Sequence, residues 1–221
     1  MIAPQQATSQ SRHEMAIRYI RDSYRMIRGK PPKYTRDLHS VQQLVTTIRP
    51  PLQLQNNSVS EEEWALLQKL LTEVADHPGP IVEIGVLAGR TTQRLARYKA
   101  PHQKILAVDN FSWNPWGLNP DEQWGLVCHS LDYLVQTEHV EIVRIDKDEF
   151  FDTYSGPAPS LVFLDAIHDY PETRKDILWA KKVGAAVITG HDYSSEFPGV
   201  MQIVDELGGP KELAGSVFCM H

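Results

Sequence analysis

The sequence is short of cysteine: Cys128 and Cys219 are its only two. They cannot build a disulfide framework, and neither belongs to a CxxC pair, so a stapled secreted scaffold is excluded. Both read as buried or incidental thiols, and a reducing, cytoplasmic location is expected. Long hydrophobic runs are also lacking. None approaches the ~20 residues of a membrane-spanning helix, and the N-terminal stretch "MIAPQQATSQSRHEM" has no apolar segment of signal-peptide type, so no membrane partner is expected. Internal repeats and low-complexity tracts are absent. Positive charge is scarce after the first sixty residues: residues 61–221 carry thirteen Lys and Arg against twenty-five Asp and Glu. An acidic body argues against duplex nucleic acid as a partner. The first sixty residues reverse the balance, nine against three. That basic arm suits an anionic substrate, a partner subunit, the acidic body itself, or a solvated helix face.

What is present is enough apolar residue, 42% of 221, for one full-sized domain and an arm. Residues 1–11 read as disordered. In "HEMAIRYIRDSYRMIRG", Ile17, Ile20, Tyr24 and Ile27 fall at helical spacing, with Gly29 as a stop. "RDLHSVQQLVTTI" reads as a second short helix and "RPPLQLQNNS" as a linker. The spacing therefore predicts a helical extension over residues 1–59 and a catalytic or binding domain over residues 60–221. That domain opens with a strong helix in "SVSEEEWALLQKLLTEVADH". Ser60 is its N-cap, the acids from Glu61 to Glu63 favour the positive end of its dipole, and Trp64, Leu67 and Leu71 make its apolar stripe.

From residue 80 strands and helices alternate. "PIVEIGV", "KILAVDN", "VEIVRID", "PSLVFLDA" and "AAVITGHDY" read as strands, and "GSVFCMH" as a last short one. Helices are expected in "RTTQRLARYKA", "PDEQWGLVCHSLDYLVQ", "PETRKDILWAKKV" and "FPGVMQIVDELG". Strands that are apolar throughout, each followed by a helix, imply a doubly wound, mostly parallel α/β sheet covered on both faces. Ligands of such folds bind at the carboxyl ends of the strands, which directs attention to the residues there.

The first strand runs into "VEIGVLAGRTT". Gly85 and Gly89 bracket a turn into a helix, where backbone can approach a ligand and free N–H groups are offered. The pattern, ExGxxxG from Glu83, is not the GxGxxG of a dinucleotide cradle. With an acid at Glu83 it suits a ligand bearing a sulfonium and an amino-acid tail; a purely structural turn is the other reading. Asp109 ends the second strand, 24 positions after Gly85. A carboxylate there suits both hydroxyls of a ribose. Asp146 ends the third strand, where an adenine edge would lie. At the ends of the fourth and fifth strands stand Asp165, His191 and Asp192. Either the two acids cap the following helices, or the three groups converge around a cation such as Mg²⁺, since converging acids repel one another without one.

These blocks, in this order, resemble the class I S-adenosylmethionine-dependent methyltransferases. "LVFLDAIHDY" and "GHDYSSEFPGVMQIVDE" are similar to the small-molecule O-methyltransferases, the macrocin-type sugar enzymes and more distantly the catechol enzymes. The resemblance covers residue 60 to the end. It implies a Rossmann-like methyltransferase fold, with Glu83, Gly85 and Gly89 at the methionine end of the cofactor and Asp109 on its ribose. It implies Asp165, His191 and Asp192 as metal positions, although the family has an acid where His191 stands, so His191 is alternatively a residue supporting the ligands or a base. In the catechol enzymes a lysine three residues after the first acid deprotonates the acceptor; here His168 holds that offset. An imidazole with a pKa of ~6.5 can do the same work, and methyl transfer to a hydroxyl needs a deprotonated, aligned nucleophile. Asp165 and His168 are thus the expected catalytic pair; the other reading of His168 is a structural histidine that hydrogen-bonds its own loop. The alternatives are a metal-independent methyltransferase of the same fold and a non-catalytic nucleoside-binding module.

Three further expectations concern departures from the family. Between Leu207 and Gly215 there is little room for the closing hairpin, so one strand is expected to be shortened or missing. In "FSWNPWGLNPDEQW", Trp113, Trp116 and Trp124 form either a lid over the acceptor or part of the core. The N-terminal helices are expected to cap the site or pair subunits.

Overall fold

A computed structural model describes residues 59–220; the helices expected in residues 1–58, and any capping or subunit pairing through them, lie outside the described residues. Helix α1 spans Glu61–Glu73. Its first turn is closed by a capping box: the Glu63 amide donates to Ser60 Oγ at 3.3 Å, and the Ser60 amide donates to Glu63 Oε2 at 2.7 Å. Trp64, Leu67, Leu70 and Leu71 are buried along one side.

Strand β1 (Ile81–Ile84) leads into α2 (Arg90–Tyr98), β2 (Ile105–Asp109) into α3 (Pro120–Gln136), and β3 (Val140–Arg144) into a short α4 (Lys147–Thr153). Strand β4 (Leu161–Leu164) is followed by α5 (Tyr170–Lys182), and β5 (Val187–Gly190) by α6 (Pro198–Glu206). The chain ends in β6 (Glu212–Ala214) and β7 (Val217–Cys219). The strand order is β3-β2-β1-β4-β5-β7-β6, parallel except for β7, which runs antiparallel to both its neighbours. The doubly wound, mostly parallel sheet expected from the alternation is the one observed.

Alternate strand residues face opposite layers, as a pleated sheet requires. Ile81, Ile105, Leu161 and Phe163 pack with Leu67, Leu71, Leu95 and Leu131 on one side. Val82, Ile84, Val162 and Leu164 pack with Ile177, Trp179, Ile203 and Val204 on the other. Both faces of the sheet are thereby dry, which is why its strands are apolar throughout.

One detail departs from the sequence reading, and one open expectation is resolved. Helix α4 was not foreseen. It is only two turns long, and Asp146 caps it, accepting from the Asp148 amide at 2.9 Å. The closing hairpin is complete, though each strand has only three residues. It fits the limited chain because Ala214 and Val217 pair directly across Gly215 and Ser216, with Gly215 at φ +56°. A two-residue turn of this kind needs the left-handed conformation that glycine adopts without steric cost. No helix among the described residues is long and apolar enough to cross a membrane.

Candidate active site

Backbone bonds continue the sheet past its carboxyl edge and set the site residues side by side. The Gly85 amide donates to Val108 O at 2.9 Å, Asp165 to Ile84 O at 2.8 Å, and His191 to Leu164 O at 3.0 Å. Strands β1 and β4 are the neighbours at which the strand order reverses, the crevice where open α/β sheets bind ligands. A cavity of about 500 Å³ opens there, its wall including Gly85, Asp109, Asp146, Asp165, His168 and Asp192.

Gly85 is dictated by its neighbour. Its φ is +94°, and a Cβ would lie 2.2 Å from Asp165 O. No other residue lets the β1–α2 turn pass so close to the end of β4. Gly89, also with positive φ, is the N-cap of α2, closely covered by Leu131. Glu83 takes a different place from the one its motif suggests. It is wholly buried, not on the cavity wall, and Thr92 Oγ1 donates to its Oε2 at 2.6 Å. Burial pushes its carboxyl up to about 8, which favours the protonated, neutral acid near neutral pH.

Asp109 lines the cavity, yet its carboxylate already serves the fold. Oδ2 accepts from the Val86 and Leu87 amides at 2.8 and 3.1 Å, and Oδ1 from the Phe111 amide at 2.6 Å. These bonds tie the end of β2 to the glycine turn and leave about one of a carboxylate's four lone-pair sites for a ligand hydroxyl. Asp146 is exposed on the wall and accepts from Asn110 Nδ2 at 3.2 Å. Lys147, next to it, is committed to Asp148, Glu172 and Asp176 at 2.8–2.9 Å.

Around the ends of β4 and β5 the ionisable groups meet. His168 Nδ1 is 3.1 Å from Asp192 Oδ2, and His168 Nε2 is 3.6 Å from Asp165 Oδ1. Donor atoms of Asp165, His168 and Asp192 all lie within 4.8 Å of one another. His191 sits beside them rather than among them. Its Nδ1 is 3.3 Å from Asp192 Oδ1 and 3.5 Å from Asp165 Oδ1, and its Nε2 is 3.5 Å from Glu63 Oε1. Neither acid caps a helix: α5 is capped by Asp169 and α6 begins after Phe197. Asp192 adopts φ +63°, an uncommon conformation that aspartate tolerates better than most residues.

Charge and burial compete at this cluster. Burial alone would pull both imidazoles down. For His191 the hydrogen bonds and charges of Asp165 and Asp192 outweigh it and push the ring up to about 10. For His168 the proximity of Asp165 and the charges of Asp192 and Asp165 also win, holding it above its ordinary value. Burial raises Asp165, but the two histidine rings beside it hold it below the usual carboxylate range.

The tryptophans divide between the two readings. Trp113 is 69% exposed and stands on the cavity wall. Trp116 lines a smaller recess with Gly85, Arg90 and Thr91. Trp124 packs on Phe111 at 5.2 Å against the core. Sequence reasoning missed two neighbours of the cluster. Phe197 meets the His168 ring edge-on at 4.8 Å, and no local pattern marks it. Glu63 was read only as a helix-dipole acid; the S-x-x-E spacing from Ser60 signals an inward-turned carboxylate, but not its contact with His191.

A family described as a methyltransferase domain matches residues 82–193, just over half of the chain. No curated protein sequence matches it. Solved structures share the fold at low identity. Cofactor-bound Rv0187 from MTB aligns with a TM-score of 0.55 at 18% identity, over 92% of this chain and 87% of that one. The O-methyltransferase from Bacillus cereus in complex with SAH aligns at 0.52 and 15%, over 81% and 94%. CalS11, a TDP-rhamnose 3'-O-methyltransferase in calicheamicin biosynthesis, aligns at 0.52 and 18%, over 87% and 95%. The sheet order, the glycine turn against β4 and the matched segment lead to one conclusion: the chain belongs to the methyltransferase-domain family.

Proposed function

We propose that this protein transfers a methyl group from S-adenosylmethionine to a hydroxyl of a small-molecule acceptor. The observation that carries the reading is the meeting of Asp165, His168 and Asp192 within 4.8 Å at the strand ends, beside the Gly85 turn. A cavity of about 500 Å³ is of the size that small-molecule sites occupy. Two of the similar structures are described as O-methyltransferases, one of them acting on a sugar nucleotide. A cytoplasmic location and the absence of a nucleic-acid partner are proposed on cysteine content and charge alone.

S-adenosylmethionine, when bound, supplies a methyl on a sulfonium, and the protein's task is to align and deprotonate the acceptor. His168 is the proposed base. His168 Nδ1 is 3.1 Å from Asp192 Oδ2, so the proposed tautomer carries its proton on that side and its lone pair on Nε2, an atom buried without a hydrogen-bond partner. The acceptor's proton passes to Nε2, and the resulting imidazolium is stabilised between Asp192 and Asp165. Phe197 against the ring limits its rotation.

The donor set fits a divalent cation. The carboxylates of Asp165 and Asp192 would hold it, and oxygen donors suit Mg²⁺. Bound there, such an ion lowers the pKa of the acceptor hydroxyl. A metal-independent version of the same reaction is the second reading, and one observation favours it. The His191 ring, pushed up to about 10, brings a positive charge of its own to Asp165 and Asp192.

Calorimetry with S-adenosylmethionine and S-adenosylhomocysteine, with and without Mg²⁺, tests the cofactor. Mass spectrometry of a panel of hydroxylated small molecules tests the transfer. Binding of both nucleosides and a methylated product are expected. Failure to bind either overturns the proposal; binding with no product on any acceptor favours a non-catalytic module.

A further inference from the structure

Glu63 belongs to the first turn of α1, far in sequence from the strand ends, yet its carboxylate reaches them. It is 7% exposed. Ser216 donates to Oε1 through its amide at 2.8 Å and its hydroxyl at 2.9 Å, and the Ser60 amide donates to Oε2. The pocket that receives it exists because residue 215 is glycine: a Cβ there would lie 2.6 Å from Glu63 Oε1 and 2.9 Å from Cδ. A carboxylate fixed from three sides then faces His191 Nε2 at 3.5 Å. The opposite ring nitrogen faces Asp165 and Asp192 at 3.5 and 3.3 Å. The His191 backbone is itself pinned to Leu164 O. A capping box accounts for the Ser60 bonds. It does not account for Ser216, for Gly215, or for the imidazole set between Glu63 and the two acids.

We propose that Glu63 is a positioning residue: it accepts the Nε2–H of His191 and so fixes the ring whose other nitrogen orients Asp165 and Asp192. The arrangement has the logic of a carboxylate that holds a histidine from behind while the histidine's other nitrogen faces the reacting centre. It makes α1 and the β6–β7 turn part of the site, although neither touches the reacting atoms. The importance of the orientation for methyl transfer rests on the function proposed above; the orientation itself does not.

The test reads the ring directly. In ¹⁵N-labelled protein the Nε2 proton of His191, assigned by its loss in His191→Gln, is expected to exchange slowly with water. In Glu63→Gln its exchange is expected to accelerate at least about tenfold, the scale on which such supporting partners act. Ser60→Ala removes the other half of the capping box and leaves Glu63 facing His191, so it is expected to keep the slow exchange. Unchanged exchange in Glu63→Gln overturns the proposal, as does equal acceleration in Ser60→Ala at a comparable loss of stability. Should Glu63→Gln not fold, the unaltered chain decides: nuclear Overhauser contacts from the Nε2 proton to the Glu63 γ-protons are expected, and their absence overturns it. Calorimetry with S-adenosylhomocysteine on the same samples separates the two readings. No binding by the parent chain overturns the methyl-transfer reading, while the ring proton still decides for or against Glu63.

Discussion

His168 Nδ1 lies 3.1 Å from Asp192 Oδ2, so a residue just beyond β4 is held by one just beyond β5. In the mechanism proposed above the hydrogen sits on the ring nitrogen nearer Asp192, and Nε2, 3.6 Å from Asp165, accepts the proton. For His168→Ala, turnover is therefore expected to fall by about 10²- to 10⁴-fold, the usual contribution of a positioned base. Affinity for S-adenosylhomocysteine, measured by calorimetry, should stay within about twofold. A normal rate in this variant removes His168 from the mechanism.

Asp192→Asn separates charge from backbone geometry. Asparagine tolerates the φ of +63° that Asp192 adopts, so the variant should fold and melt close to the parent. It loses the negative charge, and titration with Mn²⁺ followed by electron paramagnetic resonance should show at least about tenfold weaker binding. Chelation of the parent with EDTA should abolish turnover, and added Mg²⁺ or Mn²⁺ should restore it. Full turnover in EDTA selects the reading in which His191 supplies the positive charge.

The buried Glu83 makes stability depend on pH in an unusual sense. Its carboxyl is held at about 8 in the folded chain against an ordinary value of 4.5. Between those values the native state retains a proton that the unfolded chain releases. The contribution of Glu83 to stability is thus fully present below 4.5 and is lost as pH rises toward 8, by up to about 1.4 kcal/mol per pH unit. Glu83→Gln should flatten this slope while keeping the Thr92 bond. Urea unfolding of both proteins across the window checks it; parallel curves dismiss the neutral acid.

Gly85→Ala should be severe. The new Cβ meets the Asp165 carbonyl oxygen at 2.2 Å, and φ is +94°. The strand end must shift, at a cost of at least about 2 kcal/mol, and Asp165 moves with it. Both the urea midpoint and S-adenosylhomocysteine affinity should drop. A variant that keeps both has relaxed the turn in some other way.

Periodicity and composition were enough to read the parallel sheet, because strands buried on both faces must be apolar throughout and the helices between them must be amphipathic. The same logic located the strand ends as the site. It failed for α4, whose two turns are too short to establish a period; the hairpin strands are short, as expected, and the two-residue turn at Gly215 lets both fit.

The sequence by itself determined the order of strands and helices, the glycine turn after β1, and the acids and histidines that end β4 and β5. These are local properties, written in spacing and residue type. Only the tertiary structure decided how those residues are used. It buried Glu83 behind the turn, bound Asp109 to three backbone amides, and brought His168 rather than His191 into the cluster with Asp165 and Asp192. It also delivered Glu63 to His191. These placements depend on contacts between segments distant in the chain. A side chain's partners there follow from how α1, the sheet edge and the β6–β7 turn pack together, and no local pattern encodes that packing.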